Sequence, residues 1–570
     1  MTTSAGAATP LPKPAGEPVV GQPSQATLLQ RIAGASGTDA PATAKAGSPS
    51  TVSPMIIGGK QTTISTAPWM AQLWYFDGKG TSATGDDLGF FCGGSVVSPT
   101  KILTAAHCLR DKDNKAYDWK AHGTVVTGTD QLATGTDLQG GQATGVLRQW
   151  NNPSYSPAKI DNDIAVLTLA VPVKATPIRM VTSGDTASYT SSGAQLYGWG
   201  RTSSTSDDIS GTLKTATLPI RSDNTCSGYY GSGYVKGHMV CAGNPASGSD
   251  SGTTSACNGD SGGPLVVNGR IAGVVSWGVL DCVKKGAYSV FSKVSTYVGA
   301  VYPQIDDSNL SLLNGKPDGR ADLFVRSSST KTGYEKDSNG TSLAARVSLG
   351  DWSGANLVLQ TDLNRDGYQD MVYRTSSTGD VYWDHVVLNS DRTQGTWTTT
   401  KVFSDWKTRT RIITPGDVTG DYLPDVLSVD SGGTLWIYPG KGNGTFGTRV
   451  QVGTGWGQYN VVQGHGDFTG DGKTDLLARR SSTGDLYLYK GTGNSGSGAF
   501  SARIKVRSAW TGYNAFDAVG DVSGDGKADF LARTPGGTLY LYKGTGKATS
   551  EIFATRVSVG TGFQAYDLFG

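Results

Sequence analysis

A nine-residue pattern recurs four times in the second half of the chain: DLNRDGYQD at 362–370, DVTGDYLPD at 417–425, DFTGDGKTD at 467–475 and DVSGDGKAD at 521–529. NGKPDGRAD at 314–322 is a fifth, weakened copy. The copies lie about 50 residues apart, and each leads into strand-like runs such as LLARR or FLART and then LYLYKG. A unit of that length with several strands cannot bury its apolar face alone, and repeats of this kind stack as the blades of a β-propeller. The final GTGFQAYDLFG matches the strand ahead of the later loops, as in GYNAFDAVG, but stops before its Asp. It is expected to supply the strand missing ahead of the first copy and to close a ring of five blades, which removes exposed sheet edges.

The first half is organised differently, as expected of 570 residues, too many for one ordinary core. From residue 56 to 305, short apolar runs such as KILTAAHC, IAVLTLA and IAGVVSW alternate with Gly, Asp and Ser turns, the pattern of an all-β domain. It closes with SKVSTYVGAVYPQI, where Val294, Tyr297, Val298 and Val301 share one helical face. Residues 1–55 are rich in Ala, Pro, Gly, Ser and Thr and poor in large apolar side chains, so they are expected to be disordered. Three segments result: 1–55, 56–305 and 306–570. A formal net charge of +2 with no Lys or Arg run argues against nucleic acid or an anionic membrane as partner. No apolar stretch approaches a membrane span. All six cysteines fall between Cys92 and Cys282, and an even, clustered count implies three disulfides and an oxidising compartment, hence secretion. Against this stands the opening MTTSAGAATPLPKPAGEPVV, which has no apolar core and is not a signal peptide.

The stretch CNGDSGGPL (257–265) crowds three glycines around one serine. Acyl transfer gives a reason. A serine hydroxyl is a weak nucleophile until a base takes its proton, and the oxyanion that forms needs backbone N–H donors aimed at it. Glycines let a tight turn expose such donors, and Gly259 and Ser261 are the candidates. His107, in ILTAAHCL, is a base at a strand end, and Asp163, in DNDIAVLTL, is a carboxylate at the start of an apolar strand. The order His107, Asp163, Ser261, with the strings TAAHC, DIAVL and GDSGGP, resembles the chymotrypsin-like serine proteases over residues 56 to about 303. The resemblance implies a double β-barrel, a Ser261 nucleophile, a His107 proton shuttle and an Asp163 that orients it. No cofactor is needed. Six cysteines allow 15 pairings, of which the family pattern selects Cys92–Cys108, Cys226–Cys241 and Cys257–Cys282. His122, His238, His385 and His465 have no comparable surroundings and receive no role.

The same resemblance implies a zymogen. IIGG at 56–59 matches a mature N-terminus, so cleavage after Met55 would free the ammonium of Ile56 to pair with Asp260 and set the oxyanion turn. For the substrate pocket it points to Ser255, Ser276, Trp277, Gly278 and Ser289. Ser255 stands where trypsin-like members carry an aspartate, Gly278 leaves one wall open, and Ser289 in place of glycine narrows the other. An unpaired Arg or Lys in such a pocket is heavily penalised, so cleavage after Leu or Met is expected. Trypsin-like cleavage remains the alternative, through Asp250 or Asp281 on nearby loops.

The second-half repeats resemble the FG-GAP and integrin-type repeats, whose inter-strand loops bind Ca²⁺ through oxygen ligands at alternating positions. The implied ligands are Asp362, Asn364, Asp366 and Asp370; Asp417, Thr419, Asp421 and Asp425; Asp467, Thr469, Asp471 and Asp475; and Asp521, Ser523, Asp525 and Asp529. Tyr422 replaces the bend glycine in its copy, and Asn314 and Lys316 weaken the earliest one. Two functions compete: a secreted, monomeric endopeptidase acting on proteins or peptides with a structural propeller, or a propeller that adheres to a cell-surface, matrix or glycan ligand and carries an auxiliary protease.

Overall fold

The computed structural model describes residues 20–37, 45–46, 56–79, 87–306 and 319–570. Met55, where cleavage is expected, and the 314–322 copy up to Asp318 lie outside the described residues. Two compact units emerge, residues 21–305, and residues 306–570 together with Val20.

In the first unit, strands β1 (Met70–Asp77), β2 (Leu88–Ser98), β3 (Lys101–Thr104), β4 (Gly123–Thr127), β5 (Gln142–Asn151) and β6 (Ala165–Leu169) close into a barrel in the order β1-β2-β3-β6-β5-β4. The second half of this unit is an eight-stranded sheet. Its main strands are β7 (Ala194–Gly198), β8 (Lys214–Leu218), β9 (Met239–Ala242), β10 (Pro264–Val267), β11 (Arg270–Trp277) and β12 (Ser289–Lys293), ordered β9-β12-β11-β10-β7-β8. The closing helix, Val294–Ile305, buries Val294, Tyr297, Val298 and Val301, the face its spacing predicts. Three disulfides join Cys92 to Cys108, Cys226 to Cys241 and Cys257 to Cys282.

Residues 25–37 correct the expectation of a disordered leader. They form helix α1, capped by Ser24, whose Oγ accepts from the Thr27 amide at 3.2 Å. Leu28, Ile32 and Ala35, spaced four and three apart on one face, are fully or nearly fully buried in the same core as the barrel. Averaging composition over 55 residues hid this short amphipathic run.

The second unit is a ring of five four-stranded antiparallel sheets. The first blade takes three strands from residues 323–351 and its fourth from Tyr566–Phe569, with Val325 paired to Phe569. The last residues of the chain therefore complete the first blade, as the truncated final repeat predicts.

Candidate active site

His107 lies in a short 3₁₀ turn, Ala106–Cys108, reached from β3 and pinned by the Cys92–Cys108 disulfide. Asp163, 1 % exposed, sits just ahead of β6. Its Oδ1 accepts from the His107 backbone N–H at 2.8 Å, and its Oδ2 lies 2.8 Å from His107 Nδ1. A carboxylate there holds the proton on Nδ1 and leaves Nε2 as the basic nitrogen. Burial opposes protonation of the imidazole, but the Asp163 charge and hydrogen bond outweigh it and hold the pKa above the ordinary value. Two further hydroxyls hold Asp163, one at its carboxylate and one at its backbone carbonyl. Ser276 Oγ donates to Asp163 Oδ2 at 2.6 Å, and Ser292 Oγ donates to the Asp163 carbonyl at 2.6 Å. Ser276, expected at the substrate pocket, thus spends its hydroxyl on the carboxylate, and Ser292 went unnoticed in the sequence for want of any motif.

The serine loop shows why glycine is needed. Gly262 has φ +80°, and a Cβ there would stand 2.1 Å from Thr104 Oγ1 and 2.5 Å from the Gly93 carbonyl oxygen. Within the loop the amides of Asp260, Gly262 and Gly263 donate to the carbonyls of Cys257, Val275 and Asp260. The amides of Gly259 and Ser261 donate to no acceptor among the described residues. Gly93 anchors the loop from the barrel by donating to the Ser261 carbonyl at 2.8 Å. Ser261, His107 and Gly259 line one cavity of about 200 Å³ together with the Cys92–Cys108 pair, Phe90 and Tyr117.

Asp260 is fully buried. Its Oδ1 accepts from Gly200 N–H at 2.8 Å and its Oδ2 from Cys257 N–H at 2.9 Å, yet burial pushes its pKa up to about 7. Ile56 and Ile57 are fully buried, and the Ile57 carbonyl accepts from the Ser255 amide at 3.0 Å. The IIGG segment is therefore docked against the strand of chain that leads into the serine loop.

Of the expected pocket residues, Ser255 is buried and donates to the Cys282 carbonyl at 2.9 Å, while Ser289 Oγ accepts from the Ala256 amide at 2.9 Å. A Cβ on Gly278 would meet only the Tyr288 carbonyl, at 3.9 Å, so that wall is open. Trp277 packs edge-on against Tyr230. Asp250 is tied to Ser203 and Ser204, and Asp281 caps the turn at Val283 and Lys284.

The repeat loops use their first and ninth aspartates to bind their own backbone. Asp521 accepts from Gly524, Asp525 and Gly526, and Asp529 from Ser523 and Gly544; the 417 and 467 copies do likewise, whereas Asp370 accepts from Leu363 through Oδ2 alone. Carboxylate oxygens of Asp521, Asp525 and Asp529 also converge within 4.8 Å of one another. Buried Asp370 Oδ1 and Asp471 Oδ1 have no hydrogen-bond partner among the described residues. That donor set, hard oxygens left over after the backbone is served, fits a Ca²⁺ ion. Tyr422, in the glycine's place, takes φ +64°, the left-handed conformation its position demands.

An imidazole braced by a buried carboxylate, sharing a cavity with a serine in a glycine-built turn, defines a serine hydrolase. The family model for trypsin matches residues 56–301, and that for the FG-GAP-like repeat matches residues 467–532. A trypsin of Saccharopolyspora erythraea is 34 % identical over 251 residues, 44 % of this chain and 98 % of the relative. A trypsin of Simulium vittatum is 35 % identical over 39 % of this chain and 83 % of its own length, and human kallikrein-14 is 32 % identical over 42 % and 81 %. The chain belongs to the trypsin family. It is a serine endopeptidase that carries an FG-GAP-type propeller.

Proposed function

We propose that the chain is a secreted endopeptidase whose catalytic groups are Ser261, His107 and Asp163, made active by cleavage after Met55. Ser261 Oγ attacks the scissile carbonyl while His107 Nε2 takes its proton, and Asp163 stabilises the imidazolium. The Gly259 and Ser261 amides hold the oxyanion. His107 then passes the proton to the leaving amine, and water repeats the sequence on the acyl-enzyme. The observation that carries this reading is the pair of unused amides beside an imidazole whose tautomer Asp163 sets. An acylating active-site reagent tests it: stoichiometric labelling at Ser261 with peptide turnover is expected, and turnover that survives Ser261→Ala refutes it.

The activation step has a physical motive. Asp260 is buried with backbone donors but with its carboxyl pushed toward neutrality, and a buried ammonium from Ile56 would stabilise the charged form. The protein itself is a candidate activator, because Met55 suits the pocket it is expected to have. A purified Ser261→Ala chain that is processed as fast as the unaltered one would exclude self-activation.

For specificity we favour Leu and Met before the cut bond. The relatives bear the name trypsin, but here Ser255 occupies the pocket base, and Asp250 and Asp281 are engaged elsewhere. A peptide library profiles the matured enzyme. Ser255→Asp is expected to swing preference toward Arg and Lys, and a parent that already cuts after Arg or Lys would overturn the assignment. The propeller loops are read as structural Ca²⁺ sites, and the propeller as a module that supports the enzyme or holds it near a cell-surface or matrix ligand.

A further inference from the structure

Helix α1 is built into the peptidase unit rather than laid on it. Two barrel-side glycines are shaped for the leader. A Cβ on Gly145 would stand 2.3 Å from Pro23, and one on Gly135 would stand 2.3 Å from Ala33. The helix reciprocates: a Cβ on Gly34 would stand 2.3 Å from the Phe76 ring. Such mutual close approach leaves no room for larger residues on either side. Around it, Leu28 and Ile32 are fully buried. Gln22 donates to the Ala143 carbonyl and accepts from the Gly145 amide, and Arg31 donates to the Gly123 carbonyl at 2.6 Å. These polar partners lie on β4 and β5 of the closed barrel.

We infer that residues 21–37 stay bound to the barrel after the chain is cut before Ile56, so that the matured enzyme is a non-covalent two-chain assembly with its own leader as second chain. The inference rests on the activation reading only for where the natural cut falls. Two observations make retention and activation compatible. The IIGG segment docks on Ser255 and beside Thr253, ahead of the serine loop, not on the surface α1 occupies. The six cysteines all lie at Cys92 or beyond and are joined to one another, so no disulfide tethers the leader and its hold is non-covalent, by packing and hydrogen bonds. Burial of an amphipathic helix face in a fitted groove is a sufficient mode of recognition between chains.

The test uses the full chain carrying Ser261→Ala, with a recognition sequence for a specific protease placed within residues 40–50. That cut is made whether or not the Met55–Ile56 bond is ever processed, so failure of the activation reading would show separately, as an unaltered chain that never yields an IIGG terminus. After cutting, the leader fragment is expected to co-elute with the remainder in native buffer and to separate only in denaturant. In the same chain bearing Leu28→Asp and Ile32→Asp, or Gly145→Val on the barrel side, the fragment is expected to separate in native buffer, with the melting temperature lowered by about 5 °C or more. A parent fragment that elutes alone in native buffer, or whose removal leaves melting unchanged, overturns the inference. Should those variants fail to fold, the elution of the parent fragment alone still decides.

Discussion

In the uncut chain Asp260 sits among backbone donors, with a carboxyl that burial lifts from 3.8 to about 7. Between those values the folded chain holds a proton that the unfolded chain has released, so folding stability falls as pH rises from about 4 to about 7. Asp260→Asn in uncut Ser261→Ala protein is expected to gain stability relative to its parent across that window. Melting curves from pH 4.5 to 7.5 check this, and a difference that stays constant with pH counts against it. Cutting before Ile56 is expected to erase the effect, because an ammonium partner lowers the folded-state value. His107 titrates in the opposite sense for catalysis. Its raised pKa means that kcat/KM falls as acid protonates Nε2 at a pH above the usual imidazole range. Asp163→Asn should move that acid limb to lower pH and reduce kcat by about 10⁴-fold, since the amide no longer enforces the tautomer. A pH–rate profile of the variant decides, and an unmoved limb would deny Asp163 its role.

Between elements, the propeller repeats a contact that its Asp loops do not advertise. Four residues after the ninth Asp, Arg326, Arg374, Arg479 and Arg533 each donate to carbonyls where the next blade begins. Arg374 reaches those of Trp406 and Arg409, and Arg533 those of Phe563 and Tyr566 at 2.9 and 2.7 Å. Arg326 reaches Trp352, and Arg479 reaches Trp510. The third blade has Val429 there. Arg533→Lys is expected to destabilise the propeller by about 2 kcal/mol, because an ammonium cannot span two carbonyls and still reach Asn514 Oδ1. Calorimetry of the full chain reads this, and a neutral Lys would show the contact to be decorative. The Asp repeats were legible because carboxylates that accept from their own loop amides must recur at fixed positions, and the catalytic strings because their turns tolerate few residues. The arginines were not, since their partners are backbone carbonyls, which leave no mark on sequence. Helix α1 was not either: the run that buries Leu28, Ile32 and Ala35 is short and sits in a stretch whose average composition is that of a linker. The bond from Ser276 to Asp163 was not legible either, because strand position alone does not say where a hydroxyl turns.

At the scale of the whole molecule, the second unit is a closed ring whose loops concentrate acid. Asp417, Asp467 and Asp521 are raised to about 6, and Asp425 and Asp529 to about 7, by burial first and by neighbouring carboxylates. Each is a group whose folded form binds protons more tightly than its unfolded form. Stripped of cations, the ring should therefore lose stability as pH rises from about 4 to about 7. A bound divalent ion reverses the balance by favouring the ionised carboxylates, and at 100 times its dissociation constant contributes about 2.7 kcal/mol per site. With chelator present, the propeller transition is expected to be higher at pH 5 than at pH 7.5. With millimolar Ca²⁺ the pH 7.5 value should rise above the chelated one, and the gain should shrink toward pH 5 as protons compete. Replacing Asp525 and Asp471 by Asn should blunt the calcium response while sparing the backbone hydrogen bonds made by the first and ninth aspartates. A propeller transition indifferent to Ca²⁺ at pH 7.5 would mean that these loops are turns held by their own amides, and that the ring is stable with its carboxyls protonated.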